Sequence, residues 1–289
     1  MTVEASAIAT RRRPVDTRGA TLRAIYMIWW RDLLRFWRDR VRVLGALVQP
    51  LLFLLILGTG LSSALRGAGG GFRAGLDYQT FMYPGIIGMA VLFSSIFSGM
   101  SIIWDREFGF LKEVLVAPID RSAVAIGKTL GGATQATFQG VILLILSPFV
   151  GVHLNALAVV ELIGLVFCVA FALSAVGVAI ASRMRSMMGF QFVLNFLVQP
   201  CFFLSGALFP VTGLPGWMTA LTRIDPLAYG VDPIRRVVLG TSGVPSGVLD
   251  KLALTLGSQP VSIGLEVAVM LAFGLVVTSV AVFNFRRQE

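Results

Sequence analysis

The chain has 289 residues, 56% of them hydrophobic and 13% charged, a balance too apolar for an ordinary soluble domain of this size. Cys168 and Cys201 are the only cysteines and both lie inside apolar runs, which argues against a disulfide framework; the single histidine, His153, has no Cys or His cluster around it, so no metal site is assigned. The formal charge of +9 would suit nucleic acid, but the basic residues sit between and beside apolar spans, where a membrane surface accounts for them.

Residues 1–20 read as a disordered basic tail carrying Arg11, Arg12, Arg13 and Arg18. No apolar h-region follows within the usual reach, so no cleavable signal peptide is expected. Residues 21–42 change character. Leu22, Ile25, Tyr26, Trp29, Leu33, Phe36 and Trp37 recur at helical spacing, and Arg31, Arg35, Arg38 and Arg42 follow i, i+4, i+7 and i+11 on another side. A basic face opposite a Trp-rich face predicts an interfacial helix in the headgroup layer. A solvated helix of a soluble domain is the rival, disfavoured because an apolar run follows directly.

Residues 43–289 then read as a six-span transmembrane domain, an all-α integral membrane protein. Six apolar segments, near 43–61, 81–104, 122–152, 156–181, 190–209 and 263–284, are each long enough to cross roughly 30 Å of hydrocarbon. The third is longer than one span needs, and its Lys128 is expected to snorkel toward the surface.

A charged island interrupts the apolar pattern between spans two and three. Trp104, Phe108, Leu111 and Leu115 share one helical face, Asp105, Arg106, Glu107, Lys112 and Glu113 lie mostly on the others, and Pro118 ends the run. This predicts a short amphipathic helix whose apolar face packs on its own bundle. Eighteen of the 24 Lys and Arg residues fall on the side that holds this island and both termini, so the positive-inside rule makes that side cytoplasmic.

Residues 210–262, on the opposite side, alternate chain breakers with apolar residues. Prolines at 210, 215, 226 and 233 divide the segment into short pieces. Such pieces fit re-entrant or interfacial helices between spans five and six, with their backbone shielded by protein.

Polar groups inside spans are costly and therefore informative. Gln191, Asn195 and Gln199 form one stripe on the fifth span, and Gln135 and Gln139 another on the third, beside Gly131, Gly132, Ala136 and Gly140. They read either as a translocation path or as helix–helix glue, and glue is the commoner use. Glu161 and Glu266 stand near the outer starts of their spans, where the helix macrodipole accounts for them better than proton coupling does. No enzyme constellation is present. Gly127-Lys128-Thr129 resembles the end of a phosphate loop, but Ser122 stands where glycine is needed and no strand precedes it.

Taken together these residues resemble the membrane subunit of ABC-2-type exporters, the group with antibiotic-resistance and nodulation-factor permeases. The resemblance covers about residues 20–289. It rests on Trp104-Asp105-Arg106-Glu107-Phe108-Gly109-Phe110-Leu111-Lys112-Glu113 through Ala117-Pro118, on Leu204-Ser205-Gly206-Ala207-Leu208-Phe209-Pro210, on Leu214-Pro215-Gly216-Trp217 and on Asp225-Pro226-Leu227-Ala228-Tyr229. Asp225 stands where the family commonly has Asn.

The resemblance implies a pore made by two six-span permease subunits, a homodimer or a pseudo-twofold pair, with two separate ATPase subunits docked below. ATP and Mg would be bound by those ATPases, with no cofactor in this chain. Residues 105–113 would be the cytoplasmic coupling helix. Residues 21–42, with Trp29, Arg31, Arg35, Trp37 and Arg38, would be the interfacial connecting helix. Pro215, Trp217, Asp225, Pro226 and Tyr229 would belong to short re-entrant helices at the outer mouth. The implied cargo is amphipathic: drug-like molecules first, with lipids, lipo-oligosaccharides or polysaccharides as the alternative. The expected location is the inner or plasma membrane, both termini cytoplasmic. A proton-coupled secondary transporter and a membrane scaffold are the rival classes, the former weakened by the lack of paired midplane ionisable groups.

Overall fold

In the computed structural model, the described residues are 17–67, 77–108, 120–256 and 259–287. Twelve α-helices run through them. Helix α1, Thr17–Arg38, begins inside the expected tail. Helix α2, Arg40–Leu52, continues through a π-helical stretch, Phe53–Gly58, into α3, Thr59–Gly67. Pro50 lies one turn before the π stretch, and a proline that withholds an N–H is a common reason for such a local rewinding.

Helix α4, Tyr78–Ser98, and α5, Met100–Glu107, form a second long rod with a break at Gly99. The break marks a crossing. A Cβ on Gly99 would lie 2.5 Å from the Gly177 carbonyl oxygen, and a Cβ on Gly177 would lie 2.5 Å from that of Ile96. Only two glycines let these backbones touch.

Helix α6, Arg121–Ile145, starts at Asp120, whose side chain accepts the Ser122 N–H. A 3₁₀ turn, Ser147–Val150, follows. Helices α7, Ala156–Arg183, and α8, Met187–Leu204, begin at Asn155 and Ser186, which accept the amides of Ala158 and Gly189. These are ordinary N-caps for helices entering an apolar layer.

Beyond α8 come α9, Gly216–Ile224, α10, Pro226–Thr241, and α11, Ser246–Leu252. A minimal antiparallel pair, β1 Thr255–Leu256 and β2 Gln259–Pro260, leads to α12, Ile263–Arg286. The proline-broken reading of 210–262 therefore resolves into three short helices. Pro226 occupies the first turn of α10, where its missing N–H costs nothing.

Helix α4 is the most enclosed of the apolar helices, and it packs with α6 and α7. Helix α12 lies along α7, and α1 runs beside α6. Tyr83 sits wholly inside and donates to the Leu143 carbonyl at 2.7 Å. The runs 43–67 and α8 are peripheral, each with only 22% of its apolar window buried.

The protein is thus an all-α, multi-pass membrane protein. Among the described residues five helical runs are long and apolar enough to cross: Val43–Gly67, Tyr78–Glu107, Ala156–Arg183, Met187–Leu204 and Ile263–Arg286. The third expected span, over 122–152, is not among them. Helix α6 is long enough, about 37 Å at 1.5 Å per residue. It differs in composition, and its Lys128, Thr129, Gln135 and Gln139 are all turned into the bundle.

Candidate functional site

Two polar features share the end of the bundle where α1, α5 and α6 meet. One is a buried charge cluster. Lys128 of α6 is 3% exposed, so it does not snorkel to the surface as its sequence position suggests. Its Nζ lies 2.6 Å from Asp105 Oδ2 and 3.0 Å from Asp32 Oδ2, and it donates to Ser101 Oγ at 3.0 Å. Arg31 Nη2 reaches Asp105 Oδ2 at 2.7 Å and Asp32 Oδ1 at 3.1 Å, and Arg35 Nη1 reaches Asp105 Oδ1 at 3.3 Å. Three cations and two carboxylates thereby join α1, α5 and α6. Burial makes Lys128, Asp32 and Asp105 costly to leave unpaired, while Arg31 and Arg35 keep contact with solvent.

This cluster corrects the expected faces of the island that begins at Trp104. Asp105, expected on the polar face toward a partner, is 2% exposed and points inward. Arg106 also turns inward, donating to the backbone carbonyls of Ser182 and Met184. Phe108, expected to anchor the helix on its bundle, is 83% exposed. Asp105 and Lys128 are buried together as a pair, and a carboxylate compensates the ammonium as no phenyl ring can. Glu107 remains exposed. Gly109, Phe110, Leu111, Lys112 and Glu113, the rest of the expected coupling helix, lie outside the described residues.

Helix α1 meets α6 through a face of mixed chemistry. Phe36 and Asp32 are buried, and Trp29 donates its indole N–H to Thr134 Oγ1 at 3.0 Å. Glycine shapes the contact, since a Cβ on Gly127 would fall 3.0 Å from Ile28 side-chain carbons. Tyr26, Met27, Trp30, Leu34 and Trp37 are left exposed as an aromatic and apolar stripe. Arg35 and Arg38 line a shallow basic recess with Arg31.

The second feature is a cavity of about 550 Å³ immediately beside this cluster. Gln135 and Gln139 of α6 line it with Asn195 and Gln199 of α8 and Gln49 of α2. The two stripes of the sequence thus meet, except that Gln191 does not reach the cavity. Phe93, Phe97 and Trp104 supply aromatic wall, the two phenyl rings being stacked with centroids 6.1 Å apart. Asp32 connects the two features directly. Its carbonyl accepts Gln135 Nε2 at 3.2 Å, while its carboxylate holds Lys128.

A third polar group lies at the far end of the bundle; of its members the sequence reading singled out Glu266, but not a cluster with Asp232, Arg235 and Arg236. Arg235 is 2% exposed, donates to the Gly206 carbonyl and stacks over Phe81 at 4.4 Å. Arg236 lies 2.5 Å from Asp232 Oδ2 and 3.5 Å from Glu266 Oε1, and it donates to the Val261 carbonyl. Glu266 is completely buried, so the macrodipole alone does not describe it; Glu161 is exposed. The i, i+4 pair Asp232–Arg236 was the available signal. Nearby, Asp225 caps α10 through the Leu227 N–H, and Tyr229 donates to the Arg223 carbonyl at 2.9 Å. Pro215 precedes α9, and Trp217 is 67% exposed.

The family profile described as ABC-2 type transporter matches residues 23–239. Among similar proteins, nodulation protein J of Rhizobium meliloti (strain 1021) is 29% identical over 229 residues, covering 76% of this chain and 83% of its own. The inner membrane transport permease YadH of Escherichia coli (strain K12) is 26% identical over 225 residues, 77% of this chain and 85% of its own. The ycf38 protein of Cyanophora paradoxa is 24% identical over 260 residues, 88% of this chain and 86% of its own.

Proposed function

The chain belongs to the ABC-2 type transporter family and is the membrane subunit of an ABC transporter, and from that premise we propose that it is an exporter permease moving amphipathic or hydrophobic, drug-like molecules out of the cytoplasm. Transport permeases are not enzymes by themselves, and the family implies an ABC ATPase partner. In this reading ATP and Mg bind that partner, and α6 is the third of six spans.

One observation carries the proposal: Asp32 ties the amide-lined cavity to the charge cluster that holds Asp105, the first residue of the expected coupling segment. A push on that segment has a stiff route to the cavity, through Asp105 to Lys128 and along α6. Helices transmit displacement because their backbone bonds resist bending, and the ion cluster resists separation of the three helices.

The exposed amides favour two permease subunits over one. Asn195 and Gln199 lie on α8 among Phe192 and Phe196, which are 74% and 78% exposed. Amides turned toward hydrocarbon are unfavourable, and a second copy over the cavity mouth would cover them. A location in the inner or plasma membrane with both termini cytoplasmic fits the charge asymmetry. It also fits the ion pair between Arg286 and Asp120, 3.6 Å apart, which sets the end of α12 beside the start of α6.

Export of a lipid, lipo-oligosaccharide or polysaccharide is the second reading, since these substrates too are amphipathic. The test is co-expression with a candidate ATPase, pull-down, and vanadate-sensitive efflux of an amphipathic dye. Glu107→Lys inverts an exposed charge at the start of the coupling segment. It is expected to leave the permease folded but weaken ATPase recruitment, since like-charge contacts at an interface cost several kcal/mol. Wild-type recruitment and efflux by this variant would move the coupling site elsewhere. Transport that follows a proton gradient without any ATPase would refute the reading as a whole.

A further inference from the structure

The cavity between α2, α4, α6 and α8 has a lining with one chemical peculiarity. Among the described lining residues the polar groups are five carboxamides, the Ser94 hydroxyl and the Trp104 indole N–H, and none of these is ionisable. The nearest carboxylates, Asp32 and Asp105, are already held by Lys128, Arg31 and Arg35. Gln139 adds an independent sign. It is 1% exposed, it lines the cavity, and its Nε2 makes no hydrogen bond in the structure. A buried amide N–H without an acceptor is costly and uncommon. Among the five, Gln135 is the one that uses its N–H inside the protein, on the Asp32 carbonyl.

We infer that this cavity selects uncharged amphipaths, and that Gln139 reads the polar part of the ligand as a hydrogen-bond donor to a hydroxyl, ether or amide oxygen. The inference rests on the transport reading above and narrows it to a ligand class. An ionised group entering the cavity would give up water and find only neutral dipoles, which do not compensate a full charge. A cation would gain something from the aromatic wall, but the described lining residues offer it no carboxylate. An anion would find no cation among the described lining residues. A neutral head with several oxygens meets amide donors and acceptors from α2, α6 and α8, and its chain lies against Phe93 and Phe97 of α4.

The test is photo-crosslinking of the full-length chain in nanodiscs, without nucleotide, so that it does not depend on ATPase docking. Three probes share one diazirine-bearing ten-carbon chain and differ in head: maltoside, trimethylammonium and sulfate. The expected result is saturable maltoside labelling on the peptides holding Phe93 to Trp104, at least tenfold above the other two. Gln139→Leu, close in volume, should lower that labelling about tenfold. Gln139→Glu should shift the preference to the trimethylammonium probe, a reversal that mere loss of packing would not produce. Equal labelling by all three heads, labelling led by a charged head, non-saturable labelling, or an unchanged Gln139→Leu would each overturn the inference. The ATPase pull-down, run separately, reports on the transport reading itself.

Discussion

Replacing Lys128 by Met is the sharpest test of the charge cluster. Met keeps the length of the stem and removes the ammonium. Asp105 would lose its contact at 2.6 Å and Asp32 its contact at 3.0 Å, with both carboxylates nearly enclosed. Stranding one partner of a buried pair costs about 3–5 kcal/mol. Arg31 still stands 2.7 Å from Asp105 and 3.1 Å from Asp32, so the lower end, about 3 kcal/mol, is expected. At about 2–4 °C per kcal/mol for a chain of this order of size, that is a drop in Tm of roughly 6–12 °C. The assay is thermal unfolding in nanodiscs followed by tryptophan fluorescence. The double variant Lys128→Met, Asp105→Asn should recover part of the loss, because the stranded carboxylate is gone, and the non-additivity measures the pair. A single variant within about 0.5 kcal/mol of wild type, or strictly additive losses, would refute the claim that this cluster holds the three helices together.

Topology is checked by cysteine labelling: Gly216→Cys, exposed at the start of α9, should react with an impermeant maleimide from outside, and Ser186→Cys should not. Gly177→Ala places a Cβ 2.5 Å from the Ile96 carbonyl oxygen and 2.9 Å from Ile96 Cα; it should destabilise by more than the about 1–3 kcal/mol usual for overpacking, because backbone must move, and a normal Tm would count against the crossing at Gly99. Asp120→Ala should cost about 1 kcal/mol at neutral pH through loss of the α6 cap. The Ser122 amide holds the Asp120 carboxyl below its ordinary value. A depressed folded pKa contributes stability above the unfolded value, about 3.9, that is lost as pH falls through the folded one. The gap between Asp120→Ala and wild type should therefore narrow as the pH is lowered below about 4 and stay constant from there to neutral.

The sequence by itself determined the class of the protein, because length and hydropathy act locally. Twenty apolar residues in a row have few options once every backbone group must be satisfied within its own segment. Five of the spans, a helix within the expected 21–42 and short helices after 210 were legible for that reason, although that helix starts earlier, at Thr17, and ends at Arg38. The amide stripes were legible too, since Gln135 and Gln139, like Asn195 and Gln199, follow helical spacing. Helical spacing places residues on a face but does not say which face turns inward. That was decided by partners far away in the chain. Lys128 goes inside because Asp32 and Asp105, 96 and 23 residues distant, meet it there. Asp105 then takes the interior place that its apolar neighbour Phe108 was expected to hold. Gln49 joins the cavity only because α2 crosses it, and Asp232, Arg236 and Glu266 gather only because α10 packs on α12. Apart from the i, i+4 pair Asp232–Arg236, these buried charges meet partners from other helices, which no short window along the chain contains.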